Sequence, residues 1–250
     1  YYHFSLNAPY EHIIDIPNSY DEAGVKKFVK EDTKDFLEKY LELLEKNTPE
    51  IVKAIKEGEI VENQKRIKKS IYYKKKRFKV EQINTFWLSE TPGEISLGWD
   101  AAYKRVCTYA LFKDVKTKQL FWVFNTHLDH VGEQAKINGI KLILSKIKEV
   151  NNKYYSVIFT GDLNSEPESE GIFLLKKEMK DTREVSKTLP FGPSGTFNGF
   201  KHNEPVTRLL DYILISKDTG FKVEKFAVLS DSKDLRYPSD HLPVYVELSY

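Results

Sequence analysis

The segment 157–169 (VIFTGDLNSEPES) joins an apolar run to two oxygen-bearing side chains, Asp162 and Asn164, set two positions apart. A strand that ends here would fix both side chains at its tip, as the activation of a water molecule requires. Gly161 would let the chain leave the strand sharply. The same Asp-x-Asn pattern is also common in simple turns, because Asx side chains cap their own backbone.

Three further apolar segments carry polar residues at or near their ends. FWVFNTHLDH contains His127, TRLLDYILIS holds Asp211 between apolar residues, and YPSDHLPVYVEL places Asp240 and His241 before a strand. A buried carboxylate such as Asp211 is costly unless a cation or a histidine accompanies it. Each feature alone has an ordinary structural explanation. Together they predict a metal-assisted phosphoryl site, because hard divalent cations take oxygen ligands and histidine transfers protons near neutral pH.

The elements that must position these residues are mostly strands, rich in Val, Ile, Phe, Tyr and Thr. A short strand is expected at 2–6, and VKTKQ is typical of a hairpin connection. Three-to-four spacing of apolar residues predicts helices in TKDFLEKYLELLEKNTP and EQAKINGIKLILSKIKEVNN, and ESEGIFLLKKEM is a shorter candidate. We therefore expect an α/β layered domain whose sheets are largely antiparallel or mixed.

Composition limits the classes of function. The 250 residues are 40% hydrophobic, enough for a large core, and Lys+Arg 39 against Asp+Glu 37 leaves a net charge of +2. That balance argues against a protein that holds long duplex by bulk charge. It leaves open a local nucleic-acid contact by the basic tract 67–79. Alternatively, this tract forms two strand fragments around a lysine-rich turn.

Cysteine usage and hydropathy bear on the compartment. The single cysteine, Cys107, allows no internal disulfide and no clustered zinc spacing. A cytoplasmic location is favoured on this ground, although a secreted protein without disulfides also fits. No apolar run reaches the roughly 18 residues of a membrane span. We expect a monomer without a membrane span.

The ordered motifs NTHLDH, FTGDLNSEP, TFNGF, LLDYILIS and YPSDHLPV resemble those of the endonuclease/exonuclease/phosphatase (DNase I-like) superfamily. FWLSETPGEISLGWDAAYKRVCTYA is similar to a bacterial branch described as metal-dependent hydrolases. The resemblance implies a four-layer αββα sandwich with the site at one edge of the paired sheets. It also implies a single domain over 1–250 whose N-terminal part, 1–80, is divergent or shortened.

The resemblance implies a role for each motif residue. His127 would protonate the leaving group or bind phosphate, Asp162 would activate water or bind metal, and Asn164 would orient water and phosphate. Asp211 would hold His241 in its working tautomer. The remaining residues that it implies are Asp240 as a metal-linked acid, with Arg105, Asn198 and Trp99 as substrate contacts.

The N-terminal part departs from the family pattern. Asn7 and Glu57 are the candidates for its two further metal-site anchors, with Glu59 as a rival to Glu57. The resemblance implies Mg²⁺ or Mn²⁺ as cofactor and a phosphate ester as substrate, with a nucleic acid among the candidates. The alternative is a catalytically impaired domain that binds a phosphorylated ligand or nucleic acid, and zinc hydrolysis by His127, His130 and His241 is a third reading.

Overall fold

The structure, a computed structural model, describes residues 2–6, 71–232 and 234–250. The chain divides into two compact units, Tyr1–Glu11 with Ile67–Tyr250, and His12–Arg66. The second unit lies outside the described residues, as does the first predicted helix. The prediction of a single domain over 1–250 therefore stays a prediction.

The described residues form nine strands and two helices. In chain order these are β1 (Tyr2–Leu6), β2 (Phe78–Trp87), β3 (Val106–Asp114), β4 (Leu120–His127), α1 (Glu133–Val150), β5 (Ser156–Asp162), α2 (Glu170–Glu178), β6 (Met179–Asp181), β7 (Asp211–Ser216), β8 (Lys222–Val228) and β9 (Val244–Ser249). Both described helices and the N-terminal strand coincide with the sequence predictions. The stretch 71–73 was expected to be a strand fragment and is not one, although Ile71 and Tyr73 pack against the core.

The strands make two sheets. The larger sheet has six strands in the order β2-β3-β4-β5-β7-β6, and the smaller has the order β1-β9-β8. Only β4 and β5 pair in parallel among these strands. Their connection runs through α1, as a parallel pair requires. The prediction of an α/β fold with mostly antiparallel and mixed sheets is confirmed.

Side-chain alternation gives the large sheet two apolar faces. Phe121, Val123 and Ile158 point to one core, which they share with residues of β8 and β9. Trp122 and Phe124 point to the opposite face, where α1 and α2 pack. Successive residues of a strand point to opposite sides, so one sheet serves both cores. The described residues thus supply a helical layer, the six-stranded sheet and the smaller sheet of the predicted sandwich.

The two described helices are too short or too polar to cross a membrane. Helix α1 instead uses its apolar residues, including Ile140 and Ile143, to cover the large sheet.

Candidate active site

Three neighbouring strands bring the predicted catalytic residues to one edge of the large sheet. His127 ends β4, Asp162 ends β5 and Asp211 begins β7. The register places His127 opposite Asp162, and Asp162 opposite Asp211. By the two-residue period all three share the sheet face that carries Val123, Ile158 and Ile213, which is the face toward the smaller sheet.

These side chains are in contact. The His127 Nε2 atom lies 3.3 Å from Asp162 Oδ2. His241 Nδ1 lies 2.7 Å from Asp211 Oδ2, and His241 Nε2 lies 3.8 Å from Asp162 Oδ2. Asp211, His241 and Asp162 are all buried, with 1%, 6% and 8% of their surface exposed. The structure therefore brings His127, Asp162, Asp211 and His241 together as the sequence predicts.

The segment that carries His241 is fixed to β7 through Thr196. The Thr196 hydroxyl accepts hydrogen bonds from the main-chain N–H groups of Leu210 and Asp211. The Thr196 carbonyl accepts from Leu242 N at 2.7 Å. Thr196 is fully buried, and it holds Asp211 at its own main chain and His241 through the main chain of the next residue, Leu242. Sequence reasoning missed this residue, although it stands in the quoted motif TFNGF.

Carboxylates control the charge of His241. Burial by itself lowers the pKa of its imidazole, but the hydrogen bond and charge of Asp211, followed by the charges of Asp162 and Asp240, outweigh burial and raise that pKa to about 9. In this arrangement the ring is protonated at neutral pH. Its Nδ1–H is donated to Asp211, which leaves Nε2–H on the side of Asp162.

The turn after β5 depends on Asn164 and not on Gly161. Asn164 has a φ of 45°, and its N–H donates to Asp162 Oδ1 at 2.9 Å. Asparagine tolerates this left-handed conformation better than most residues. A Cβ on Gly161 would lie 2.4 Å from the Thr126 carbonyl oxygen of β4. The expectation that Gly161 permits the sharp exit is therefore wrong, since this glycine is required by the close approach of the neighbouring strand.

The side chain of Asn164 also ties two strand ends together. Its Nδ2 donates to the Leu128 carbonyl at 3.0 Å, so the β5 turn is fastened to the segment that follows His127. Lys136 of α1 approaches the same turn, with Nζ 3.4 Å from the Asn164 carbonyl and 2.6 Å from Glu133 Oε1. The orientation of substrate by Asn164 stays a prediction.

Asp240 and Asn198 lie in adjoining loops beside His241. The main-chain carbonyl of Asp240 accepts from the N–H groups of Asn198 and Gly199, at 2.8 and 3.1 Å. The Asn198 side chain is buried, donates to the Ser239 carbonyl at 3.0 Å and accepts from Phe200 N at 2.7 Å. Asn198 thus anchors the loop of Asp240. Its contact with substrate stays a prediction.

Arg105 lies at the same edge and is paired with Asp129. The Arg105 Nε donates to Asp129 Oδ1 at 3.4 Å, and both side chains are buried. Burial raises the pKa of the Asp129 carboxyl, but four main-chain N–H donors outweigh it and lower that pKa to about 2. The donors belong to Gly132, Ala102, Val131 and Tyr103. Asp129 therefore joins the loop before β3 to the loop after β4.

Trp99 and its neighbour Asp100 take different parts. Trp99 has a φ of 47°, and its N–H donates to the Glu90 carboxylate. Asp100 accepts from the N–H groups of Gln134 and Ala135, at 3.2 and 2.7 Å, and so caps α1 from a distant loop. The contact of Trp99 with substrate stays a prediction.

Two predicted metal residues, Asn7 and Glu57, lie outside the described residues. Among the described residues, Asp162, Asp211 and His241 are near enough to share an ion, with ligand atoms within 4.8 Å of one another. Asp211 and His241 are also hydrogen-bonded to each other, through Oδ2 and Nδ1 at 2.7 Å.

Comparison with known proteins identifies the family. The model of the endonuclease/exonuclease/phosphatase family matches residues 71–241. This span covers more than half of the chain and contains every described site residue. The chain belongs to the endonuclease/exonuclease/phosphatase family, and its fold and site define a phosphoric ester hydrolase.

Solved structures agree with this assignment. The mannosyl-6-phosphatase Bt3783 of Bacteroides thetaiotaomicron VPI-5482 is 34% identical, with a TM-score of 0.66, over 71% of this chain and 69% of that one. Another family protein from Bacteroides thetaiotaomicron is 35% identical, with a TM-score of 0.66, over 70% of this chain and 65% of that one. D. rerio TDP2, solved with a single-strand DNA product, is 20% identical over 71% of this chain and 70% of that one, with a TM-score of 0.54. At that identity the likeness to TDP2 shows the fold alone.

One curated protein matches a short part of the chain. Glutamate–tRNA ligase 1 of Aliarcobacter butzleri (strain RM4018) is 66% identical over 47 residues, which are 18% of this chain. The chain spans about a tenth of the length of that relative, since the match covers 10% of it. A match this short does not bear on the family assignment of residues 71–241.

Proposed function

We propose that the chain is a divalent-metal-dependent phosphoesterase that hydrolyses a small phosphate ester by attack of water on phosphorus. The observation that carries the proposal is the contact of His241 with Asp211 at 2.7 Å beside Asp162, which His127 approaches within 3.3 Å. A buried acid–histidine pair next to a second acid and a second histidine supplies proton donors and acceptors around one point.

The charge balance of the site fits a divalent cation. Asp162, Asp211 and Asp240 all act electrostatically on His241. Three carboxylates around two histidines leave an excess of negative charge, which would repel a phosphate dianion unless a cation offsets it. We assign Asp162 and Asp240 as carboxylates that would hold Mg²⁺ or Mn²⁺, together with the predicted Asn7 and Glu57. When bound, the ion would neutralise phosphate charge and make the attacking water more acidic.

The chain's own residues would divide the remaining work. Asp162 would accept the proton of the attacking water, as its Oδ2 atom faces the reacting edge between the two histidines. His241, held through Nδ1 by Asp211, would donate from Nε2 to a phosphate oxygen and so stabilise the charge that develops there. His127 would donate a proton to the ester oxygen as its bond to phosphorus breaks, which gives the free alcohol and inorganic phosphate.

A phosphorylated sugar is the substrate class that we favour. The mannosyl-6-phosphatase supports this class, because its name refers to a phosphorylated sugar. It is 34% identical to this chain over 71% of this chain and 69% of its own. The likeness to TDP2 lies below the identity at which a shared substrate could be argued. The near-balanced net charge of +2 also gives little reason to expect a polyanionic partner such as a nucleic acid.

Release of phosphate from a small panel tests this proposal. The protein is stripped with a chelator and then assayed with Mg²⁺ or Mn²⁺ on mannose 6-phosphate, p-nitrophenyl phosphate and bis-p-nitrophenyl phosphate. We expect metal-restored hydrolysis that Asp162→Ala and His241→Ala each lower by at least about a hundredfold. Exposed Asp218 provides the control Asp218→Ala, which should retain activity.

Two outcomes would count against the proposal. Hydrolysis that survives both substitutions would remove the site from the reaction. Tight binding of phosphate esters without turnover under any metal would support the binding-module alternative. Calorimetric titration with Mn²⁺ distinguishes the phosphoesterase from the binding module by whether the protein binds the metal. We expect the wild type to bind Mn²⁺ and Asp240→Ala to bind it about tenfold or more weakly.

A further inference from the structure

Two aromatic rings beside the catalytic edge face solvent. The side chain of Tyr103 is 45% exposed, and His130 is also exposed. Their rings are stacked, with centroids 5.5 Å apart and planes inclined by 22°. We call this pair the Tyr103–His130 shelf. An exposed stacked pair adds little to the core, so its position next to the site calls for a functional explanation.

The main chain beneath the shelf is held firmly. Asp129 accepts from the N–H of Tyr103 at 3.1 Å and directly precedes His130 in sequence. The same carboxylate is 2% exposed and accepts three further main-chain N–H groups and the Arg105 Nε. Both ring-bearing loops are therefore fastened to one buried anion, and the shelf is prepared before any ligand arrives.

Arg105 sets the hydrogen-bonding character of the shelf. Its Nη2 atom lies 3.4 Å from His130 Nδ1, and its Cζ atom lies 5.8 Å from the centre of the Tyr103 ring. A guanidinium group only donates, so Nδ1 accepts and the N–H of the imidazole is at Nε2. Nε2 is on the far side of the imidazole from Arg105. The shelf thus combines aromatic faces with an N–H donor and the Tyr103 hydroxyl.

The shelf lies at the same sheet edge as the reacting groups. Arg105 directly precedes β3, which pairs with β4, and His130 follows His127 by three residues. The Leu128 N–H donates to the Asp162 carbonyl, and the Leu128 carbonyl accepts from Asn164 Nδ2. A molecule whose phosphate sits at Asp162 would extend over this short segment to reach the shelf.

We propose that Tyr103 and His130 bind the sugar ring of a phosphorylated sugar while its phosphate occupies the catalytic edge. This inference rests on the proposed function and names the subsite that would select the alcohol part of the ester. The C–H face of a pyranose packs on an aromatic ring, and its hydroxyl groups match the His130 Nε2–H and the Tyr103 hydroxyl. The positive charge of Arg105 is paired with Asp129, which favours a neutral hydroxylated ring over a second phosphate.

Binding without turnover tests the shelf independently of hydrolysis. The probes are the phosphonate analogue of mannose 6-phosphate, the phosphonate analogue of a nucleoside monophosphate, and methylphosphonate, each titrated by calorimetry in the presence of Mn²⁺. We expect the wild-type protein to bind the sugar phosphonate at least about tenfold more tightly than methylphosphonate. Tyr103→Ala and His130→Ala should each remove most of that difference and leave the affinity for methylphosphonate within about twofold.

The control variant is Tyr154→Ala, which removes a tyrosine that is 89% exposed in the turn after α1. It should bind all probes as the wild type does. Tyr103→Ala keeps the main-chain bond to Asp129, and a melting temperature close to that of the wild type would show that its loop remains folded. Equal wild-type affinity for the sugar and methyl phosphonates overturns the subsite, whatever the hydrolytic activity. Preference for the nucleoside analogue, or equal loss of both affinities in Tyr103→Ala, overturns it as well.

If the sugar preference is present and is lost in both variants while no phosphate ester is hydrolysed, the shelf stands and the proposed catalytic function fails. If hydrolysis is found without a sugar preference, the catalytic function stands and the shelf fails.

Discussion

The pKa of His241 is set by three carboxylates of the site, those of Asp211, Asp162 and Asp240. Its imidazole donates to Asp211 and faces Asp162, and the carboxylates raise its pKa to about 9 despite burial. A divalent cation beside Asp162 and Asp240 would offset two of these charges and lower the imidazole pKa again. The hydrogen bond to Asp211, which raises this pKa most, would still keep the proton on the ring that the proposed reaction needs.

Asp129 shows how a single residue can support a site without taking part in its chemistry. Its carboxylate receives four main-chain N–H groups, and its pKa of about 2 lies below the ordinary value of 3.8. Because folding favours the ionised form, the resulting stability is fully present above about pH 4 and is lost as the pH falls from about 4 to about 2. The difference in pKa corresponds to about 2 kcal/mol.

Asp129→Asn therefore has a pH-dependent effect. We expect the loss of unfolding free energy, relative to the wild type, to be larger at pH 7 than at pH 2 by about 2 kcal/mol. Urea denaturation at a series of pH values measures it. Asp218→Asn, at an exposed position, is the control and should change the unfolding free energy by less than about 0.5 kcal/mol. A constant difference for Asp129→Asn would contradict the account of this carboxylate.

At the scale of the elements, strand tips explain why the site could be predicted from the sequence. His127, Asp162 and Asp211 are polar residues at the ends of apolar strands, and the ordered motifs identify their neighbours. The supporting contacts were not predicted, because they join residues far apart in the chain. Asp100 caps a helix 35 positions away, and Asp129 binds a loop 27 positions away. Local patterns of hydropathy carry no signal for such pairs.

The role of Gly161 was misjudged for the same reason. A glycine after an apolar run is typical of a turn, but its requirement here comes from Thr126 on the adjacent strand. Only the strand register reveals that approach.

The junction between α1 and its distant cap gives a prediction for Gly132. A Cβ on this residue would lie 2.5 Å from Asp100 Oδ1 and 2.6 Å from the Asp100 carbonyl oxygen. Gly132→Ala should displace the cap and lower the unfolding free energy by about 2 kcal/mol. Gly93→Ala is the matched control, since a Cβ there meets no atom within 4 Å and should change stability by less than about 0.5 kcal/mol. Thermal and urea denaturation of the two variants compare them, and equal stability would contradict the inferred close contact.

At the scale of the whole molecule, the large sheet supports two cores and the candidate active site at one edge. Its face toward the smaller sheet carries both the core residues and, at the strand ends, the residues proposed to be catalytic. Family motifs in their order predicted this architecture from about residue 85 onward. The N-terminal part, 1–80, departs from the family pattern, and its two predicted metal residues remain predictions.

Phe121 packs in the core between the two sheets. It is 2% exposed and contacts Phe112 of β3 and Phe221 near β8, with ring centroids 5.9 and 5.7 Å apart. Phe121→Ala should lower the unfolding free energy by about 3–5 kcal/mol, because it leaves a cavity between the layers. Phe173→Ala, at a position that is 59% exposed on α2, should cost less than about 1 kcal/mol. Urea denaturation of both variants measures the difference, and similar small losses would contradict the assignment of this core.

The measurement that tests the central claim most directly is a double-mutant cycle on kcat, with Asp211→Asn, His241→Ala and the two combined, on a phosphate ester that the wild type hydrolyses. If Asp211 acts by holding His241 in the reaction, each substitution lowers kcat by about a hundredfold or more, and the double variant is no slower than His241→Ala alone within about threefold. Losses that multiply in the double variant, with all three proteins folded, would contradict the account.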